Sequence, residues 1–188
     1  MKKGKLLVVS GPSGSGKGTV LGEVLKRRDD VCMSVSATSR SPRPNEKDGV
    51  NYFFVSRERF KEMIEKEELL EYAEFCENYY GTPAEAVNKN LEAGKSVILE
   101  IEVQGAMQIK KKCPEAVLIF IKPPSIEILR ERLTGRGTEE QDVIEKRLSA
   151  ALWELGFENE YDFSVVNDEV SRAAEEIENI IEKENKND

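Results

Sequence analysis

The residues from Gly11 to Thr19 read GPSGSGKGT and carry the densest chemical signal in the chain. Within Gly11, Pro12, Ser13, Gly14, Ser15, Gly16, Lys17, Gly18 and Thr19, the glycines let the backbone wrap closely around an oxyanion, and one lysine can reach the outer phosphates of a nucleotide. Backbone amides and the start of a following helix would turn the positive ends of their dipoles to the same ligand. The phosphate-loop pattern asks for Ser or Thr directly after the lysine. Here that place holds Gly18, and the hydroxyl comes one residue later on Thr19. Without a hydroxyl at position 18, magnesium is expected to be held mainly by nucleotide phosphates and water. Glu100 and Glu102 close a later apolar run, where an acid could orient the water around such an ion; the competing reading is a strand-end salt bridge.

What is missing narrows the chemistry further. There is no histidine, which excludes Ser-His-Asp and Cys-His triads, every histidine metal site and the usual general base. Cys32, Cys76 and Cys113 are odd in number and far apart, matching neither a disulfide framework nor a zinc-ligand spacing, so they read as reduced thiols. Any reaction must run on carboxylates, lysine, arginine, backbone amides or a bound ion.

These groups need a scaffold, and 188 residues suit one globular domain with room for at most a small inserted subdomain. With 39% hydrophobic residues beside 28 basic and 36 acidic ones, the chain has enough apolar material for a core. Its apolar runs, Leu6 to Val9 and Val117 to Ile121 among them, fall far short of the roughly 20 residues of a bilayer span. No signal-peptide pattern follows the first lysines, so the expected location is cytoplasmic. A net charge of −8 argues against a general nucleic-acid groove, while a local basic site remains open.

Lys5 to Ser10 reads as a buried strand, and Val20, Leu21, Val24 and Leu25 as the face of the helix after the glycine cluster. A strand is expected around Met33 to Ser36. In TSRSPRPNEKDG, Pro42 and Pro44 force extended neighbours and predict an arginine-loaded loop. Tyr52 to Val55 and Leu69 to Phe75 predict strands around a helix from Arg57 to Lys66, and Tyr79 to Thr82 closes this stretch. Pro83 is expected in the first turn of a helix running to Ala93 and stopping at Gly94. Ser96 to Val103 and Ala116 to Ile121 read as strands around a helix through Ile109. Then come a helix from Ile126 to Leu133, a break at Gly135-Arg136-Gly137, and a helix capped near Thr138 with Val143, Ile144, Leu148, Leu152 and Leu155 as its apolar stripe. Trp153 is assigned to packing on that stripe, and Arg130 reads as a solvated helix residue. Phe163 to Val166 is the last strand, and Val170, Ala173, Ala174, Ile177, Ile180 and Ile181 mark a terminal amphipathic helix. Strands alternating with helices predict an α/β fold with a largely parallel sheet, interrupted by a small β-containing insertion.

SVSATSRSPRPNEKDGVNYFFV, LLEYAEFCENYYGTP, ILEIEVQGA, LTGRGTEEQDVIEKRLSAA and FSVVND, taken with the phosphate loop, resemble the guanylate kinase family over almost the full length. The resemblance implies a P-loop core at about 1–34, 86–133 and 158–188, a GMP-binding insertion at about 35–85 and a lid at about 134–157. It implies ATP and GMP as substrates, Mg2+ as cofactor, conversion of ATP and GMP to ADP and GDP, and dGMP as a further acceptor. ATP would sit on residues 11–19 and on Asn167. Arg40, Arg43, Tyr52 and Tyr80 match positions that bind the GMP phosphate, and the residues suit that role, with two planar guanidinium forks and two hydroxyl donors. Ser36, Glu71, Thr82 and Glu102 match positions that read guanine, whose N1-H and 2-amino donors call for an acceptor-only side chain such as Glu71. Away from the motif, Glu71 reads as one exposed acid among many in Glu65 to Glu74. Arg132, Arg136 and Arg147 match the arginines that close with Lys17 on the moving phosphoryl group. Two alternatives stay open: a catalytically inactive guanylate-kinase-like module that grips a phosphopeptide, and a kinase for another nucleoside monophosphate or small metabolite.

Overall fold

The computed structural model describes residues 3–75, 77–134 and 141–186, with the side chain of Gln141 excepted. In chain order the elements are β1 (Leu6–Ser10), α1 (Lys17–Arg27), β2 (Val31–Met33), β3 (Ala37–Thr38), β4 (Phe53–Phe54), α2 (Arg57–Glu65), β5 (Leu69–Phe75) and β6 (Asn78–Pro83). They continue with α3 (Ala84–Glu92), β7 (Ser96–Glu100), α4 (Val103–Lys112), β8 (Val117–Lys122), α5 (Ile126–Thr134), α6 (Gln141–Leu155), β9 (Phe163–Val166) and α7 (Val170–Lys186).

Five strands form a sheet in the order β2-β7-β1-β8-β9, and every neighbouring pair is parallel. Leu7, Val8 and Val9 at its centre are fully buried, which explains why β1 is a continuous apolar run with no alternation. One face packs on α1 and α7 through Val20, Leu21, Val24, Ala173, Ala174, Ile177 and Ile181. The opposite face packs on α3 and α4 through Val87, Leu91, Val103, Ala106 and Ile109. The α/β expectation is met by these two helical layers around a parallel sheet.

A second sheet, in the order β4-β3-β6-β5, pairs β3 with β4 in parallel and β6 antiparallel to both β3 and β5. Ala37, Phe60, Met63 and Leu69 give it a core of its own, and the Phe60 ring stacks on Tyr79 at 5.3 Å between centroids. The α5 and α6 helices join through Leu129, Leu133, Leu148 and Ala151.

Several element boundaries differ from expectation, each for a visible reason. The strand expected at Met33 to Ser36 ends at Met33, and the chain passes through Ser34–Ser36 from the first sheet into the second at Ala37. The strand expected to reach Val103 ends at Glu100, because its neighbour β1 pairs only as far as Val9 with Glu100 before turning into the loop. Glu102 instead precedes the first turn of α4, and its carbonyl accepts from Ala106 N. Pro83 closes β6 rather than opening α3. On α6 the buried face is Ile144, Leu148 and Ala151, while Val143, Leu152 and Trp153 are 41%, 42% and 50% exposed. Trp153 packs edge-on against Phe157, away from the α5-facing side of α6. Arg130 is exposed as expected and pairs with Glu145 at 2.7 Å. Cys32 and Cys113 are free thiols; Cys76, Arg136 and the expected cap at Thr138 lie outside the described residues. Among the described residues no helix is long and apolar enough to cross a membrane.

Candidate active site

The phosphate loop is shaped by where its glycines stand. A Cβ on Gly11 (φ 150°) would lie 2.0 Å from the Ile121 carbonyl oxygen, so only glycine lets the chain leave β1 against β8. Gly14 and Gly16 hold φ of 85° and 84°, the left-handed region that costs other residues most. Ser15 N then donates to Pro12 O at 3.0 Å and Val20 N to Gly16 O at 3.1 Å, and α1 begins at Lys17. No acidic side chain sits in the first turn of α1, which leaves its unpaired amides to an anion. Ser13 is exposed at the mouth of the loop and Ser15 is buried beneath it, while Gly18 and Thr19 are on the first turn, Thr19 exposed.

Lys17 Nζ donates to the carbonyls of Gly11 (2.5 Å) and Pro12 (3.2 Å). Burial lowers its pKa against the opposing pull of Glu100, Glu154 and Glu102. Asn167 is 3% exposed and donates from Nδ2 to Ser15 O at 2.7 Å. Arg132 donates to the same carbonyl at 3.3 Å and to Asn167 O at 2.9 Å, so β9 and α5 brace the loop at one point. Arg147 reaches it from α6, donating to Ser13 Oγ at 3.2 Å.

The other half of the site comes from the second sheet. Glu71, on β5, is 5% exposed and accepts a 2.6 Å hydrogen bond from Thr82 Oγ1 on β6. Burial raises its pKa; the Thr82 bond and Lys112 lower it, and Glu102 adds to the rise. Ser36, Tyr52, Tyr80 and Glu102 open onto the same cavity of ≈500 Å³ as Glu71, Ser13 and Lys17. Arg40 lies beside it, with its guanidinium 5.6 Å from the centre of the Tyr52 ring and in a double hydrogen bond to Glu46, both at 3.0 Å. Arg43 is exposed in the same turn, where its backbone N donates to Glu46 Oε2 at 2.7 Å.

Glu100 is exposed beside the loop: a Cβ on Gly18 would lie 3.9 Å from its Oε1. One hard carboxylate next to open space suits a hydrated magnesium ion carried on nucleotide phosphates. Among the described residues no cluster of three or more His, Cys, Asp or Glu side chains is placed to hold a metal by itself.

A sequence profile described as guanylate kinase matches residues 3–184. The chain belongs to the guanylate kinase family. It is 56% identical to a guanylate kinase of Clostridioides difficile, over 98% of this chain and 90% of that protein. It is 53% identical to one of Desulfitobacterium hafniense, over 95% of this chain and 89% of that protein. Its fold is similar to the crystal structure of guanylate kinase from Anaplasma phagocytophilum, with a TM-score of 0.78 and 34% identity, covering 98% of this chain and 88% of that one.

Three residues around this candidate site escaped the sequence reading. Glu46 was signalled only by being the acid nearest the two arginines in their loop. Gly105 matters because a Cβ there would sit 2.7 Å from Glu71 Oε2, so its lack of a side chain makes room for that carboxylate. Glu154, half-buried on α6, opens onto the cavity beside Lys17 and Ser13, and nothing in its neighbourhood in sequence marks it.

Proposed function

We propose that the chain transfers the terminal phosphoryl group of ATP to GMP, giving ADP and GDP, with dGMP as a second acceptor. One observation carries this reading: a single cavity has a phosphate-loop lysine at one end and a buried, hydrogen-bonded carboxylate, Glu71, at the other. A donor triphosphate and a base presenting paired hydrogen-bond donors fit those two ends. An oxygen of the GMP phosphate attacks the γ-phosphorus of ATP, the bond to the β-phosphate oxygen breaks, and ADP leaves. The nucleophile is already anionic, so the absence of histidine removes nothing the reaction needs.

In this reading ATP lies on residues 11–19 and beside Asn167, and Lys17 moves from the Gly11 and Pro12 carbonyls onto the phosphates. Arg40, Arg43, Tyr52 and Tyr80 take the GMP phosphate; Ser36, Glu71, Thr82 and Glu102 take the base. Arg132, Arg147 and Arg136 neutralise the moving phosphoryl group. Mg2+ would be carried on the ATP phosphates, where it would supply charge neutralisation, and Glu100 would hold its water. The core is 1–34, 86–133 and 158–188, the GMP-binding insertion 35–85 and the lid 134–157. The setting is cytoplasmic, with no membrane or nucleic-acid partner. A phosphopeptide module or a kinase for another acceptor is the competing reading, and the cavity that joins Lys17 to Glu71 favours neither. The test is ADP release with GMP, AMP, UMP and CMP as acceptors: GMP alone should give fast turnover. Equal rates with AMP, or none with any acceptor, would overturn the reading.

A further inference from the structure

Two charged side chains of α6 point at the phosphate loop from the same helix face. Arg147 donates to Ser13 Oγ at 3.2 Å; Glu154, about two turns further on, lines the cavity with Ser13 and Lys17. Between them Ala151 is fully buried, and with Leu148 it packs on Leu129 and Leu133. Those two leucines also close over the loop, within 3.0–3.3 Å of where a Cβ on Gly14 would stand. The α5–α6 pair thus holds Glu154 in a set place relative to the loop. There its carboxylate opens onto the same cavity as Ser13 and Lys17 and lies in the field of Lys17. Burial raises its pKa, while Lys17 and the Ser13 amide pull it down.

A carboxylate that shares its cavity with the loop and the loop lysine competes for the space a phosphate would enter. We propose that Glu154 is an internal surrogate for a nucleotide phosphate, filling part of the loop's anion cradle in the empty enzyme and displaced when a triphosphate enters. The inference rests on the reading of residues 11–19 as the ATP site. Glu100 and Glu102 also act on Lys17, but they belong to the end of β7 and to the turn before α4. Glu154 is the carboxylate that the lid-side helix brings to the loop, so leaving the cradle couples nucleotide entry to the position of α6. The same negative charge that orders the empty loop opposes the ligand, and removing it should tighten triphosphate binding.

The test compares wild type with Glu154→Gln, which keeps the shape but loses the charge. Calorimetric titration with Mg·ATP, and with tripolyphosphate as a probe that has no base, should show about tenfold tighter binding in the variant, as expected from removing one like charge a few ångströms from the ligand. The GMP dissociation constant should not move, and steady-state kinetics should show KM falling for ATP and not for GMP. Glu154→Asp, which keeps the charge, should bind tripolyphosphate more weakly than Glu154→Gln. Unchanged or weaker triphosphate binding in Glu154→Gln would overturn the inference; failure of the wild type to bind either triphosphate would instead overturn the ATP-site reading. A measurement on the wild type stands if the variants do not fold: the side-chain carboxyl 13C resonance of Glu154 should shift on adding tripolyphosphate and stay in place on adding GMP. A resonance unmoved by tripolyphosphate would overturn the inference.

Discussion

Glu71 is a carboxylate kept where its charge is costly. Burial holds its pKa above the ordinary 4.5, which means the folded protein favours the protonated form more than the unfolded chain does. For an acid with a raised folded pKa, the penalty is absent below the unfolded value and grows as pH rises toward the folded one. Glu71→Gln should therefore raise the Tm of the nucleotide-free protein at neutral pH, measured by calorimetry. In the proposed reading guanine needs the ionised form, because N1-H and the 2-amino group are both donors. GMP affinity should accordingly fall as pH is lowered through the raised pKa, while the Gln variant shows a flatter profile. In the same variant one guanine donor faces an NH₂, so kcat/KM for GMP should drop roughly 10- to 150-fold, with a smaller drop for IMP. An unchanged GMP-to-IMP ratio would move base reading away from Glu71. The burial of Glu71 was hidden in the acidic run from Glu65 to Glu74, yet strand alternation held a clue: Leu69 and Glu71 are buried, with Tyr72 exposed between them and Glu74. Arg40 stands differently: in its pair with Glu46 the two side chains are 16% and 18% exposed, and Glu46 keeps the Arg43 amide as a partner when the guanidinium is removed. Arg40→Ala should leave Tm nearly unchanged and weaken GMP binding by about 1.5 to 3 kcal/mol, the range for a charge-assisted hydrogen bond, as read by titration.

The β5 edge of the four-stranded sheet is docked onto α4. Gln108 on α4 pairs with both backbone groups of Tyr72 on β5, accepting from its N at 3.2 Å and donating to its O at 2.9 Å. One turn earlier, Gly105 leaves the space into which Glu71 Oε2 projects. A methyl at Gly105 would press on the free end of a flexible side chain, not on backbone, so Gly105→Ala should cost little stability and displace the carboxylate. The expected signature is a raised KM for GMP with an unchanged KM for ATP and a Tm close to wild type; equal changes in both KM values would show that α4 carries more than the base pocket. Element types were legible because apolar periodicity is a local property: β1, β5, β9 and α7 stand where their patterns lie. Element ends were less so. Where β7 stops depends on where β1 stops, and which face of α6 is buried depends on α5 lying against it, so Leu152 and Trp153 satisfied the periodicity yet remained uncovered.

At the scale of the whole molecule, the two ends of the site belong to different bodies of structure. Lys17 rides on the five-stranded sheet, while Glu71, Tyr80 and Arg40 ride on or beside the four-stranded one. Between the two sheets the chain crosses through Ser34–Ser36 and again where β6 gives way to α3. In-line transfer requires the acceptor oxygen to approach the γ-phosphorus to about 3–3.5 Å. The arginines that should share that charge are engaged elsewhere: Arg40 on Glu46, Arg132 on the Ser15 and Asn167 carbonyls, and Arg147 on the Ser13 hydroxyl. A net charge of −8 makes this local gathering of cations more necessary, because the field outside the cleft repels both substrates. Binding both nucleotides should supply the anions that draw the insertion and the α5–α6 pair inward over the cleft, expelling water as they come. A compact chain of this length has a radius of gyration of about 16 Å, and small-angle scattering resolves a contraction from that value. The radius should shrink with a bisubstrate analogue that joins adenosine and guanosine through a polyphosphate, and shrink less with GMP or ATP alone, since each engages only one of the two moving parts. An identical radius with and without the analogue would mean that the cleft is already closed, and the arginines would then have to reach the phosphates by side-chain rotation alone.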